Sequence, residues 1–194
     1  MAAECTRIKL MLGRSAELHP AHGAPMEVWQ SVEEMVLKPH RKGTKMSSED
    51  YKALTLRLYA AIGEVFRTGD SGLLDPLLAP DMIDHTPASG PIVGREPGKQ
   101  LIASFAHAFP DTMLTVDLMV AEADCVAAFV SYRSTHSGMF MGHPPTGKVV
   151  RVTGMDIMRY RDGQVVELWS QFDDLGLLQQ LGIVSRQEDL QPAQ

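Results

Sequence analysis

The chain has 194 residues, 44% of them hydrophobic and 22% charged, with 18 Lys plus Arg against 24 Asp plus Glu and a net charge of −6. That is the composition of a packed protein with one main domain, not of a disordered chain, and it needs no staples to bury a core. The acidic balance excludes a nucleic-acid backbone binder, which carries clustered cations. The longest apolar runs are about five residues, such as Val126 to Val130, against about 20 for a membrane span. Leu10-Met11-Leu12 behind Arg7 and Lys9 is too short for a secretory signal. Cys5 and Cys125 form no CxxC pair and no disulfide framework, so a reducing, cytoplasmic setting is expected.

In chain order, residues 1–46 read as an N-terminal extension, mobile over 1–24. Val28, Trp29, Val32, Met35 and Val36 share one helical face, which predicts a short helix over 25–38 before a basic linker. From 47 the signals strengthen. Ser47 or Ser48 is a good N-cap, with Glu49 and Asp50 in the first turn. Leu54, Leu58, Ala61, Ile62, Val65 and Phe66 form the apolar stripe of a helix ending near Gly69. A second helix is expected over 72–78 and a short strand over 81–85. A third helix follows Gly94, with Leu101, Ile102, Phe105 and Phe109 inward, and stops at Pro110.

The period then changes to two. Strands are predicted over 112–120, 125–135, 148–160 and 164–172, where Val, Thr, Phe and Ile are frequent. Glu122-Ala123-Asp124 and Arg161-Asp162-Gly163 read as hairpin turns, and 138–147 as a longer hairpin loop. A last short helix covers 175–181, followed by a tail over 184–194. Helices first and an antiparallel meander afterwards predict an α+β fold, with three N-terminal helices packed on one face of a curved antiparallel sheet.

No HExxH, HxH, GxGxxG or GxSxG pattern is present, so no metal site, phosphate loop or nucleophilic triad is expected from spacing. The residues that could carry chemistry are polar groups inside apolar strands. His85 and His136 close strands, and Asp156 sits between Met155 and Ile157. Trp169, Gln171 and Asp173 fall on one strand face by alternation. A carboxylate on an inward face is costly unless paired or protonated, and such environments make general acids and bases. The same groups at strand ends in water, or in a structural hydrogen-bond network, would do no chemistry.

These residues also sit in an ordered set of short motifs. They are Asp84-His85-Thr86-Pro87, Ala108-Phe109-Pro110-Asp111, Thr135-His136-Ser137-Gly138, Pro145-Thr146-Gly147-Lys148 and Gly154-Met155-Asp156-Ile157, then Glu167-Leu168-Trp169, Asp173 and the segment 176–182. Over about residues 50 to 183 the set resembles the SnoaL-like polyketide cyclases and their ester cyclase relatives, of the nuclear transport factor 2-like superfamily. The resemblance implies a cone-shaped α+β barrel over 47–183 and cofactor-independent ring closure by intramolecular aldol condensation, without metal. It implies a pocket aspartate as general acid/base: Asp173 matches best, with Asp156 and Asp174 open as alternatives. His136 and His85 match polar pocket positions, and Trp169 an aromatic wall. Phe140 and Met141, in the long loop with Met139, read as an apolar lip or an oligomer contact.

The expected ligand is a small apolar or aromatic carbonyl compound, and the expected assembly a homodimer through the outer sheet face. Three readings compete: an enzyme acting through the aspartate, a non-catalytic binding module of the same fold, and an interaction protein whose extension recruits a partner.

Overall fold

The computed structural model describes residues 46–87 and 90–185. The N-terminal extension to residue 45, with the helix expected at 25–38, and the tail from 186 lie outside the described residues. Helix α1 spans Ser48–Thr68. Ser47 caps it in a reciprocal box: its hydroxyl accepts from the Asp50 N–H at 3.2 Å, and the Asp50 carboxylate accepts from the Ser47 N–H at 2.8 Å. Gly69, at φ 79°, closes the helix in the left-handed conformation.

The second expected helix is only a 3₁₀ turn, Ser71–Leu74. Pro76 removes an N–H and biases Asp75 away from a continuing helix, so propagation stops after one turn. Strand β1 therefore begins earlier than the sequence suggests, at Leu78, and runs to Asp84. Pro80 is accommodated because the register against the neighbouring strand is irregular between Leu78 and Ile83. A two-residue strand β2, Ile92–Val93, precedes helix α2, Arg95–Ala108.

The meander then follows as β3 (Met113–Glu122), β4 (Cys125–Thr135), β5 (Val149–Arg161) and β6 (Gln164–Phe172), before helix α3, Asp174–Leu181. Ala123 and Asp162, both at φ 52°, turn the two tight hairpins. The strand order is β2-β1-β6-β5-β4-β3. All neighbours are antiparallel except β1 and β6, which pair in parallel, so the sheet is mixed. This α+β architecture matches the expected one, with the parallel pair as its addition.

One sheet face is buried under the helices. Leu114, Val116, Val126, Val130, Met158 and Tyr160 pack there against Leu54, Leu58 and Val65 of α1. The other face keeps Leu118, Val120, Phe129, Met155 and Ile157 exposed. Among the described residues, no helix is long and apolar enough to cross a membrane.

Candidate functional site

Strand alternation decides which polar residues enter the interior. In β5 the even positions face inward, with Asp156, Met158 and Tyr160 buried, while Met155, Ile157 and Arg161 are exposed. The antiparallel register sets Asp156 opposite Ser170 of β6 and Ala128 of β4. Asp156 is 5% exposed. Its carboxylate accepts a hydrogen bond from the Tyr59 hydroxyl of α1 at 2.6 Å, on Oδ2, and one from the Ser170 hydroxyl, on Oδ1. Burial pushes its pKa up, the two hydrogen bonds pull it down, and the Asp84 carboxylate adds to the upward push.

Asp84, also 5% exposed, ends β1. It accepts from the Thr86 N–H at 2.9 Å, and the Thr86 hydroxyl accepts from the Ser170 N–H at 2.8 Å. A hydrogen-bonded chain thus runs Asp84–Thr86–Ser170–Asp156–Tyr59, across β1, β6, β5 and α1. Burial first, and the Asp156 charge second, raise the Tyr59 phenol well above its usual range, so it stays a donor.

His136 is placed elsewhere. It is completely buried beyond the end of β4, with its ring 5.3 Å from Phe109 and 6.2 Å from Phe140. Its Nδ1 accepts from the Thr146 N–H at 3.2 Å, which leaves the ring proton on Nε2, an atom with no hydrogen-bond partner. Ala128, opposite Asp156, lies eight residues before His136, about 25 Å of extended strand. His136 and Asp156 therefore do not share one reacting centre. Phe140 is tucked in against Phe105 at 5.6 Å and Phe109 at 5.2 Å, while Met139 and Met141 point outward, Met141 being 73% exposed. Gly138 is needed where the loop crosses the end of α2: a Cβ there would lie 2.2 Å from the His107 carbonyl oxygen.

His85, Trp169 and Gln171 form a different constellation. Trp169 and Gln171 do share a strand face, but it is opposite the one that carries Ser170 and faces Asp156, because one residue in a strand reverses the side. There Trp169 stacks on His85, with ring centroids 4.6 Å apart and 8° between planes, and the Arg159 guanidinium sits 5.6 Å from the indole centroid. Glu167 ties the group together, bonding His85 at 3.1 Å and Arg159 at 2.6 Å. The His85 hydrogen bond is the main reason its carboxyl is held below the usual range.

Asp173 is exposed, and its carboxylate is the N-cap of α3, accepting from the Gly176 N–H at 2.9 Å. Asp174 beside it is also exposed, with its pKa raised by partial desolvation and by the Asp173 charge. Of the three candidate aspartates, only Asp156 lies in the interior. The sequence alone does not mark Tyr59, Ser170 or Asp84 as site residues. The inward stripe of α1 contained the signal for Tyr59, one position after Leu58. Ser170 required the β5–β6 register. Among the described residues, no three His, Cys, Asp or Glu side chains converge on a possible metal position.

A family model for SnoaL-like polyketide cyclases matches residues 56–181. Among solved structures, the chain is similar to IdmH of Streptomyces antibioticus, a proposed polyketide cyclase, at 37% identity and TM-score 0.54, over 64% of this chain and 96% of that one. It is similar to AclR of Streptomyces galilaeus, a proposed hydroxylase, at 29% identity and TM-score 0.62, over 72% and 85% of the two chains. TsrD of Streptomyces laurentii matches at 29% identity and TM-score 0.61, over 69% of this chain and 98% of that one. No curated protein matches the sequence significantly. With the helices, mixed sheet and matched span in agreement, the chain belongs to the SnoaL-like polyketide cyclase family.

Proposed function

We propose that the protein is a cofactor-independent enzyme of the polyketide cyclase type, acting on a small apolar carbonyl compound with Asp156 as general acid/base. The observation that carries this reading is the buried Asp156 carboxylate, raised in pKa and held at both oxygens by Tyr59 and Ser170. A base of raised pKa accepts a carbon-bound proton more readily than an ordinary carboxylate does.

In an intramolecular aldol closure, Asp156 takes the proton from the carbon beside one carbonyl. The resulting enolate carbon bonds to a second carbonyl carbon of the same molecule. The alkoxide formed takes the proton back from Asp156. Atoms and electrons balance within one substrate. Tyr59 and Ser170 orient the carboxylate, which lowers the cost of placing it correctly. Asp173 receives no proton-transfer role, because its carboxylate is engaged as a helix cap. His136 receives none either, given its distance along the sheet.

A thermal-shift screen of aromatic β-ketoesters, followed by turnover assays on wild type and Asp156→Asn, tests the reading. The expected outcome is retained binding with product formation lost in the variant. Turnover by Asp156→Asn at the wild-type rate would refute the assignment. Binding without turnover in the wild type would favour the alternative, a non-catalytic binding module.

For the outer face we propose pairing with a second copy. Leu118, Val120, Phe129, Met155 and Ile157 are exposed together on strands β3, β4 and β5, and the helices cover only the other face. A flat apolar patch on a sheet is self-complementary about a twofold axis.

A further inference from the structure

The interior face contains a polar group that the scheme above leaves unused, the hydroxyl of Tyr132. Tyr59 and Tyr160 also approach the sheet interior, and both are satisfied: Tyr59 bonds Asp156, and Tyr160 bonds the Thr55 hydroxyl at 2.7 Å. The Tyr132 hydroxyl makes no hydrogen bond to any described residue, yet it is not among the sealed, unpartnered atoms. The residue as a whole is only partly buried.

Tyr132 lies on the helix-covered face of the sheet. The apolar core on the helix side divides into two clusters, one around Leu58, Val65 and Met158, the other around Phe109, Val150 and Leu177. Where they meet, the inward-facing Tyr132, Val152 and Phe172 are only partly buried, although their strand neighbours Val130, Val150 and Gly154 are buried. Phe172 meets Tyr132 edge to face at 5.6 Å. Its ring packs against Gly154, where a Cβ would fall 2.1 Å from it. The junction of the two clusters thus presents the rings of Tyr132 and Phe172 and a hydroxyl with no partner among the described residues. Tyr132 pairs with Val152 and Ala128 with Asp156, which sets the Cα atoms of Tyr132 and Ala128 about 13 Å apart along β4 on one inner face. Burial, then the Asp156 charge, keeps the phenol protonated and so a donor.

We infer that Tyr132 is a ligand-binding residue whose hydroxyl donates a hydrogen bond to a carbonyl oxygen of a flat, neutral, aromatic compound seated between the two clusters. Phe172 supplies the stacking wall. The two buried carboxylates, Asp84 and Asp156, repel an anionic ligand and favour a neutral one. The inference rests on the reading of this interior as a ligand site, but it does not require turnover.

The test uses 9-fluorenone and fluorene, which share a shape and differ by one carbonyl oxygen, titrated into the full-length protein by calorimetry. Wild type is expected to bind the ketone about five- to tenfold more tightly, the effect of one neutral hydrogen bond. Tyr132→Phe is expected to abolish that preference by weakening only the ketone, with fluorene binding and the near-ultraviolet dichroism unchanged. Asp156→Asn is expected to keep the preference. A preserved ketone preference in Tyr132→Phe overturns the inference, as does wild type that binds neither compound or binds both equally. Loss of turnover in Asp156→Asn with the ketone preference intact bears on the acid/base assignment alone.

Discussion

The hydroxyl of Tyr59, in the middle of α1, donates to Oδ2 of Asp156, in the middle of β5, at 2.6 Å across 97 residues of sequence. The bond joins α1 to the sheet at one of the sheet's two buried carboxylates. It also favours ionisation of Asp156, because a carboxylate that accepts two hydroxyls is easier to charge than one that accepts none.

Tyr59→Phe removes that donor and little else. We expect it to destabilise the fold by about 1–3 kcal/mol, the cost of stranding a buried acceptor. With one downward influence gone, Asp156 should titrate at higher pH. Urea unfolding reads the first effect, and the acidic limb of the pH–rate profile, displaced upward, reads the second.

The ionisation of Asp156 sets a pH dependence of stability. Its folded pKa is raised above the unfolded value, so the native state holds the proton more tightly than the unfolded chain does. The stability linked to that proton is complete below the unfolded pKa. It is lost as pH rises through the folded pKa. Asp156→Asn cannot ionise, so its stability relative to wild type should improve between acidic and neutral pH. Urea melts of both proteins at pH 4, 5, 6 and 7 check this, and parallel curves would contradict it.

Asp173→Ala should cost about 1 kcal/mol through loss of the α3 N-cap, while Asp173→Ser should recover most of it. Turnover per folded molecule should be unchanged in both. A large loss of turnover in Asp173→Ser, with stability restored, would return the acid/base role to Asp173.

Gly154→Ala places a methyl group where the Phe172 ring now lies. Phe172 must leave the Gly154 backbone, and overpacking of this kind costs about 1–3 kcal/mol. Because Phe172 touches Tyr132, the variant should also weaken binding of flat ligands. Thermal melts with and without 9-fluorenone separate the two effects.

On the outer face, Phe129→Glu introduces a charge at the centre of the exposed apolar patch. If two copies meet there, sedimentation should show wild type as a dimer and the variant as a monomer with an unchanged near-ultraviolet spectrum. A wild-type monomer at tens of micromolar would contradict the pairing.

Local chemistry made much of the fold legible in the sequence. Ser47 and Asp50 specify the start of α1, and the apolar period of 3.6 specifies its inner face. Period-two alternation and the Asp162-Gly163 turn specify the meander, whose strands β4 and β6 have the expected bounds. These signals act over a few residues and need no partner to be read. The sequence also established that Asp156 is a polar interruption in an apolar strand, and that Trp169 and Gln171 share a face. It could not establish which face. That depends on register, and a slip of one residue exchanges the two sides of a strand. Only the tertiary structure turned Ser170 inward and Trp169 outward, paired β1 in parallel with β6, and brought Tyr59 and Asp84 to Asp156. Each of these depends on contacts between distant segments, where burial and hydrogen bonding, not local propensity, choose the arrangement.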